Sequence, residues 1–490
     1  MSLVQSVDNV AMLPAYLAAG TAVLVLLVDL LVARPAVTVA TAAVGAAGTA
    51  LGSALVGAAG SRRTFCVGAD CSWVFDGRAA LVGAVIALLT LGVLAVSGPV
   101  LRAGRIPVGE YCFLLACAMT GGVVLGAAGD LITLIVALET LTLPLYVLVG
   151  LRRGSLAGAE AAVTFFVVSV VATTVTLLGA ALLYAVTGTL HLERLGATLA
   201  DRADLLDLPL TTVAVALVVA GLAFKVAAVP FHAWAPATYD GAPLPVAAYL
   251  STASKFGGVV ALLAVVQRAL PGEVTGPVLA LLAALTMTVG NLVALRQRRT
   301  VRLLAWSSVA QAGYILAPLG VLALAAGRTA DARAQAYAAA VAYAVFFVLL
   351  ELAAFAAVVA LRPADGDGGT LADLRGAARR HPWVGGAFAL ALIGLAGLPP
   401  GLAGLFAKVT VVRSLLAGHA GWLALVVALN AVIGLAYYLR VAATLYAAPR
   451  AGAAAPGRPA RTVALALGVA TALAIVIGFA PQLVLDVAAR

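Results

Sequence analysis

Residues 209–230 read PLTTVAVALVVAGLAFKVAAVP, an apolar run that contains one charge, Lys225, and closes on Pro230. A membrane crossing takes about 20 apolar residues, so this stretch has the length and composition of one crossing. Inside hydrocarbon every backbone N–H and C=O must find a partner within the protein, which leaves helices or closed barrels. An uninterrupted apolar run is not the alternating pattern of a barrel strand, so the segment is predicted to be helical. A lysine within such a helix is unusual, and the proline that follows predicts a break.

Runs of the same kind recur along the 490 residues at about 10–32, 36–59, 79–101, 110–128, 129–150, 160–186, 243–266, 276–295, 300–323, 335–361, 383–416, 418–446 and 460–482. With 209–230 they make about fourteen crossings and account for most of the chain. The chain is 64% hydrophobic and 10% charged, with mean hydropathy +1.12, against about 25% charged for a soluble domain. No interval is long enough for a soluble domain with its own core. The run 383–416 is too long for one straight crossing, and Leu398-Pro399-Pro400-Gly401 interrupts it.

The net charge of +10 raises a nucleic-acid reading, but no basic cluster lies on a soluble domain, and no nucleic-acid partner is expected. Arginines at membrane edges account for the charge. With the N-terminus outside, the cytoplasmic loops hold sixteen arginines, from Arg34 to Arg461 and including Arg450, and the outer loops and C-terminus hold nine. Positive residues collect on the cytoplasmic side, so both termini are expected outside a bacterial inner (plasma) membrane. The first basic residue is Arg34, so the first apolar run is read as a retained helix and not as a cleaved signal. Cys112 and Cys117 read as packing residues. Cys66 and Cys71 share a short outer loop, either as a local disulfide or as two free thiols.

A charge at the bilayer centre costs at least about 2.5–3.5 kcal/mol, which makes such residues functional candidates. The deep ones are Glu139, Lys225, Lys255, Glu351 and Lys408; Asp29 lies nearer a helix end. The chain has only three lysines against 27 arginines, and all three are mid-span. Arginine stays protonated, whereas a buried lysine can gain and lose a proton. The bland alternative is that the lysines snorkel or sit in static salt bridges. Glu139 is the natural partner of Lys225, and a Glu–Lys pair that forms and breaks is a switch for proton release. Ser251, Ser254, Gln311 and Tyr314 are weaker polar candidates. His232, after the Pro230 break, is either a hydrogen-bonded structural residue or a proton carrier. No Cys/His cluster has metal-ligand spacing, and no nucleotide, flavin, haem or iron–sulfur motif is present. Two Pro-interrupted segments, each near a lysine, occupy equivalent places in two five-helix halves. That pattern points to inverted repeats with an ion site near the midplane.

The stretch Gly221-Leu-Ala-Phe-Lys225-Val-Ala-Ala-Val-Pro230-Phe-His232-Ala-Trp234-Ala-Pro236, followed by Tyr239-Asp-Gly241-Ala-Pro243, resembles the antiporter-like membrane subunits of respiratory complex I. So do Gly290-Asn291-Leu-Val-Ala-Leu-Arg296-Gln297, Ser307-Ser308-Val-Ala-Gln311-Ala-Gly313-Tyr314, Asp373-Leu-Arg375-Gly376, Gly397-Leu-Pro399-Pro400 and Tyr437-Tyr438-Leu-Arg440. The resemblance spans about residues 110–446, and the Tyr-x-Gly-Ala-Pro stretch is most similar to the N-type subunits of bacterial NADH-quinone oxidoreductase. It implies a proton channel formed by Glu139, Lys225, Lys255 and Lys408, with His232 and Glu351 as further candidates. It also implies other membrane subunits of complex I and the lipid bilayer as partners. NADH, FMN, iron–sulfur clusters and quinone are expected in those partner subunits, and no cofactor or metal on this chain. Two positions depart from the family pattern. Thr164 stands where a lysine is common, and Glu351 stands where a small or amide residue is usual. Alternatives are a subunit of a multisubunit Na+/H+ antiporter or membrane-bound hydrogenase, or a non-pumping structural paralogue.

The expected fold is therefore all-α: a polytopic membrane protein of about fourteen transmembrane helices. Three N-terminal helices (1–109) precede two inverted five-helix repeats (110–270 and 271–446), with helices 7 and 12 broken. A last helix lies in 447–490.

Overall fold

The computed structural model describes residues 6–364, 366–449 and 458–489; Arg450, counted above, lies outside them. Its helices are α1 (Asn9–Val32), α2 (Pro35–Ala58), α3 (Gly77–Arg102), α4 (Val108–Gly126), α5 (Leu131–Gly150) and α6 (Leu156–Thr187). After them come a short α7 (Leu192–Asp201), α8 (Pro209–Lys225), α9 (Trp234–Gly241) and α10 (Leu244–Arg268). The second half holds α11 (Gly272–Ala294), α12 (Thr300–Leu316), α13 (Ala330–Leu361), α14 (Pro382–Ala396), α15 (Leu402–Ala417) and α16 (Gly421–Tyr446). The chain ends with α17 (Arg461–Phe479) and α18 (Gln482–Ala489).

Among the described residues, twelve helices are long and apolar enough to cross a membrane. The other two expected crossings are the ones the prolines interrupt. The first is α8, which stops at Lys225 and is followed by an irregular stretch before α9. The second is the pair α14 and α15, separated by Gly397–Gly401.

The sequence reading missed one element. Residues 62–75, taken for a short loop, form a hairpin of β1 (Arg62–Val67) and β2 (Asp70–Phe75), in which Cys66 opposes Cys71 and is disulfide-bonded to it. Alternate residues of β2 (Cys71, Trp73 and Phe75) point inward. Trp73 and Phe75 pack on Ala11, Ala15, Val56 and Ala79 at the ends of α1, α2 and α3, and Trp73 Nε1 donates to Ala11 O at 3.1 Å. The polar residues between two long apolar helices hid the period-2 pattern.

Loops alternate between two faces of the helix bundle. On one face Arg299 pairs with Asp240 at 2.7 Å and with Asp367 at 2.8 Å, tying the end of α9 to the segments after α11 and α13. Arg153 N donates to Arg105 O, and Arg375 Nε to Ala448 O, on the same side. Burial alone would raise the Asp367 carboxyl, but the Arg299 and Gly369 N–H hydrogen bonds outweigh it and hold it below the usual carboxylate range. On the opposite face Arg194 pairs with Asp70 at 2.8 Å, Arg268 with Glu193 at 3.0 Å and Arg328 with Glu273 at 3.5 Å. The arginine-rich loops thus share one side, and the hairpin lies on the other.

Helix association in a membrane relies on close packing of small residues more than on hydrophobicity. At the α11–α12 crossing, a Cβ on Gly290 would lie 2.6 Å from Ala310 N, and one on Gly313 would lie 2.6 Å from Met287 N. The backbones touch there, which seats α12 in the centre of the bundle. Gly313→Leu is expected to destabilise the protein by about 1–3 kcal/mol through overpacking. A lowered thermal midpoint of the purified protein checks this, with Gly48→Leu, which has open space around it, as the neutral comparison.

Candidate functional site

α5 carries Glu139 one turn before Thr142 and Pro144, and α8 delivers Lys225 as its last residue. Lys225 Nζ donates to Glu139 Oε1 at 2.6 Å, to Ser169 Oγ at 2.9 Å and to Thr142 Oγ1 at 3.5 Å. Thr173 donates to Glu139 Oε1 at 2.6 Å, and Tyr146 donates to Ser169 Oγ at 2.5 Å. The pair is asymmetric in depth, with the lysine side chain 5% exposed and the glutamate 18% exposed. Glu139 lies among Val136, Leu143 and Val147, which are exposed on the outer side of α5. The acid is thus reachable from the lateral surface, while the lysine is internal.

The break after Lys225 is built so that its free backbone groups stay satisfied. Pro230 has no N–H. Val229 N donates to Thr286 Oγ1 at 2.9 Å, and Phe224 O accepts from Trp234 Nε1 at 3.1 Å. Ala227, with φ +58°, holds a left-handed conformation that a non-glycine residue seldom adopts. His232 stands just past the break, its ring 5.1 Å from that of Trp306. Among the described residues no hydrogen bond joins it to Glu139 or to any lysine.

Lys255 lies on α10, directly after a π-helical stretch, Leu250–Ser254. Such stretches are often found at functional sites. Its Nζ donates to Ser308 Oγ at 2.7 Å and to Ser308 O at 2.8 Å. Ser251, from the π stretch, donates to Glu351 Oε1 at 2.7 Å, and its Oγ lies 3.3 Å from Ser308 Oγ. One turn past Lys255, Gly258 leans on the end of α8, and a Cβ there would lie 2.9 Å from Lys225 O. The first two lysines therefore share one helix contact, although among the described residues no hydrogen bond connects them.

Lys408 is held differently. α14 ends at Ala396, and Gly397 turns the chain with φ +81°. Lys408 Nζ donates to Ala396 O at 2.5 Å and to Leu395 O at 3.3 Å, and lies 4.8 Å from the centre of the Tyr314 ring. The last carbonyls of a helix have no partner within it and carry partial negative charge, so the broken helix end binds the ammonium. Leu395 O also accepts from Gln311 Nε2 at 3.1 Å. Gln311 Nε2 donates to Tyr438 Oη at 3.0 Å, Tyr438 lies 2.5 Å from Ser307 Oγ, and Tyr343 donates to Gln311 Oε1 at 2.6 Å.

Ser307, Ser308, Gln311 and Tyr314 thus form a polar stripe on α12 that links the surroundings of Lys255 to those of Lys408. Gln311 and Tyr314 were singled out in the sequence. Ser307, Ser308 and Tyr438 entered only as motif positions and Tyr343 not at all; the signal for the two serines was the i, i+1, i+4, i+7 spacing of polar groups on α12. Thr164 is exposed on α6, on the turn before Phe165.

A buried ion pair broken on one side strands a charge and costs about 3–5 kcal/mol, whereas replacing both partners by apolar groups is often neutral. Glu139→Leu alone is therefore expected to destabilise the protein strongly. Glu139→Leu with Lys225→Met is expected to recover most of that loss. Thermal midpoints of the two variants, read as a double-mutant cycle, check the non-additivity.

The family model described as NADH:quinone oxidoreductase/Mrp antiporter, transmembrane region, matches residues 128–434. NADH-quinone oxidoreductase subunit N of Salinispora tropica is 76% identical, with all of both chains covered. NADH-quinone oxidoreductase subunit N 2 of Streptomyces griseus is 45% identical, covering 91% of this chain and 84% of that one. A chain in the structure of respiratory complex I from Thermus thermophilus with bound aureothin superposes with TM-score 0.79 at 30% identity, covering 97% and 99% of the two chains. The Mrp complex from Dietzia sp. DQ12-45-1b contains a chain with TM-score 0.81 at 22% identity, covering 97% and 96%, which is a likeness of fold. The match covers both broken helices and all four acid and lysine positions from Glu139 to Lys408, and on it the chain belongs to the NADH:quinone oxidoreductase/Mrp antiporter transmembrane family.

Proposed function

We propose that this chain carries protons across a bacterial inner membrane as the N-type membrane-arm subunit of an NADH-quinone oxidoreductase. The redox chemistry that drives it takes place in partner subunits, which hold the NADH, FMN, iron–sulfur and quinone sites, and this chain holds no redox centre. The relative at 76% identity is named as such a subunit, which favours this reading over a sodium antiporter or a membrane-bound hydrogenase. The antiporter alternative shares the family model and a likeness of fold at 22% identity.

One observation carries the proposal. Of three lysines buried in the bundle, only Lys225 touches a carboxylate directly among the described residues; Lys255 and Lys408 rest on a hydroxyl and on backbone carbonyls. When either of those loses its proton, no directly bonded anion is left behind, so the neutral state is accessible in a way a static ion pair forbids. Glu139, at the lateral rim, is placed to respond to a charge change in a neighbouring subunit. Pulling its carboxylate away from Lys225 would release the proton that the pair holds. Protons would enter from the cytoplasm, pass along Lys225 and Lys255, and leave past Lys408. The halves 110–270 and 271–446 then act as two inverted units, each supplying one broken helix. His232, away from these bonds, is assigned a structural role beside Trp306.

The arginine-rich face is cytoplasmic in this reading, by the positive-inside tendency, with both termini and the disulfide-bonded hairpin outside. Single cysteines test that orientation. Asp204→Cys should react with an impermeant maleimide in intact spheroplasts and Asp367→Cys should not; the reverse result refutes it. The proton role is tested in the assembled complex. Lys225→Ala should lower proton pumping far more than complex abundance, and unchanged pumping would sink the proposal. Lys225→Arg, which keeps the charge and removes ready deprotonation, is expected to pump as poorly as the alanine variant.

A further inference from the structure

Glu351 lies in the middle of α13 with no exposed surface, at a position where the resemblance does not call for an acid. A carboxyl group there is costly, so it needs a physical role. Its surroundings supply one. Glu351 Oε1 accepts from Ser251, and Ser251 Oγ is 3.3 Å from Ser308 Oγ, which accepts from Lys255 Nζ at 2.7 Å. Lys255 and Glu351 act on each other electrostatically, yet two hydroxyls stand between them where Glu139 and Lys225 touch directly.

Resting on the proton-carrying reading above, we propose that Glu351 is the proton partner of Lys255, reached through the Ser308 and Ser251 hydroxyls. The Lys255 ammonium gives a proton to Ser308 Oγ, Ser308 passes its own to Ser251, and Ser251 passes its own to Glu351 Oε1. One N–H bond breaks at Lys255 and one O–H bond forms at Glu351; both hydroxyls end as they began, and a charged pair becomes a neutral one. The return hop restores the charges. Lys255 therefore changes charge without its proton leaving the bundle.

Two further features separate this from a structural staple. Buried carboxylates ordinarily satisfy both oxygens, but among the described residues Glu351 Oε2 is buried without a partner. The cluster is thus left open on the acid's second oxygen. The π-helical stretch Leu250–Ser254 also places Ser251, four residues before Lys255, against Glu351 of α13, so one helix supplies the lysine and the hydroxyl that meets the acid.

Glu351→Gln is the decisive variant, because the amide keeps the shape and still accepts from Ser251 but cannot take up the proton. In whole complex reconstituted into proteoliposomes, proton pumping per NADH oxidised should fall at least about tenfold, and Glu351→Asp should restore part of it. A structural staple predicts wild-type pumping in Glu351→Gln. That result beside an impaired Lys225→Ala overturns the role of Glu351 alone. Normal pumping in both variants overturns the underlying reading as well. If Glu351→Gln fails to assemble, Ser251→Ala, which leaves the acid in place and cuts the relay, decides instead: reduced pumping supports the proposal and normal pumping refutes it.

Discussion

Backbone polar groups cannot be left unpaired in hydrocarbon, and the arrangement of this protein follows from where that demand is hardest to meet. A continuous helix meets it alone; a broken helix needs partners from elsewhere in the protein. At the first break those partners are Trp234 Nε1 on Phe224 O and Thr286 Oγ1 on Val229 N. At the second, the orphan carbonyls of Leu395 and Ala396 are taken by Lys408 and Gln311. A buried lysine thus caps the helix whose interruption created its site, so the second break and the third lysine are one feature.

The same demand explains why three lysines can be buried at all. An isolated ammonium in an apolar medium is prohibitively costly, and each is relieved by different chemistry. Lys225 has a carboxylate and two hydroxyls, Lys255 has a serine hydroxyl and carbonyl, and Lys408 has the negative end of a helix and an aromatic face. These environments bind the ammonium with graded strength, from a full counter-charge to partial charges only.

Much of this was legible in the sequence, because apolar length and proline position act locally. The twelve long apolar helices, the two interrupted ones and the deep placement of the three lysines all follow from short stretches read one at a time. The hairpin at 62–75 was not legible, since its inward residues are held by the ends of α1, α2 and α3 rather than by any local signal. The partnership of Glu139 with Lys225, 86 residues apart in the chain, was legible from charge, but its contact geometry was not, because helix rotation and neighbour identity are set by packing. Hydropathy does not supply that information. α12 with its 3-10 extension has the lowest value of the twelve spans, 1.2, and is 94% buried; α13 has 2.7 and is 89% buried; α1 has 2.3 and is only 28% buried. In a bilayer an apolar surface is equally content against lipid or protein, so mean hydropathy cannot order helices by depth.

What does order them is the placement of small and polar residues. α12 is central because Gly313 lets Met287 of α11 come against its backbone, and because Ser307, Ser308 and Gln311 find partners on α10, α14 and α16 that lipid could not offer. Removing those groups from lipid fixes the rotation of α12, and that rotation decides which neighbours its stripe can bridge. Close packing and the polar contacts around Lys255 and Lys408 are therefore carried by the same few side chains. A substitution on this stripe perturbs the position of the helix and the path along it together. Glu351, one helix further out and joined to the stripe only through Ser251, is where the two can be separated.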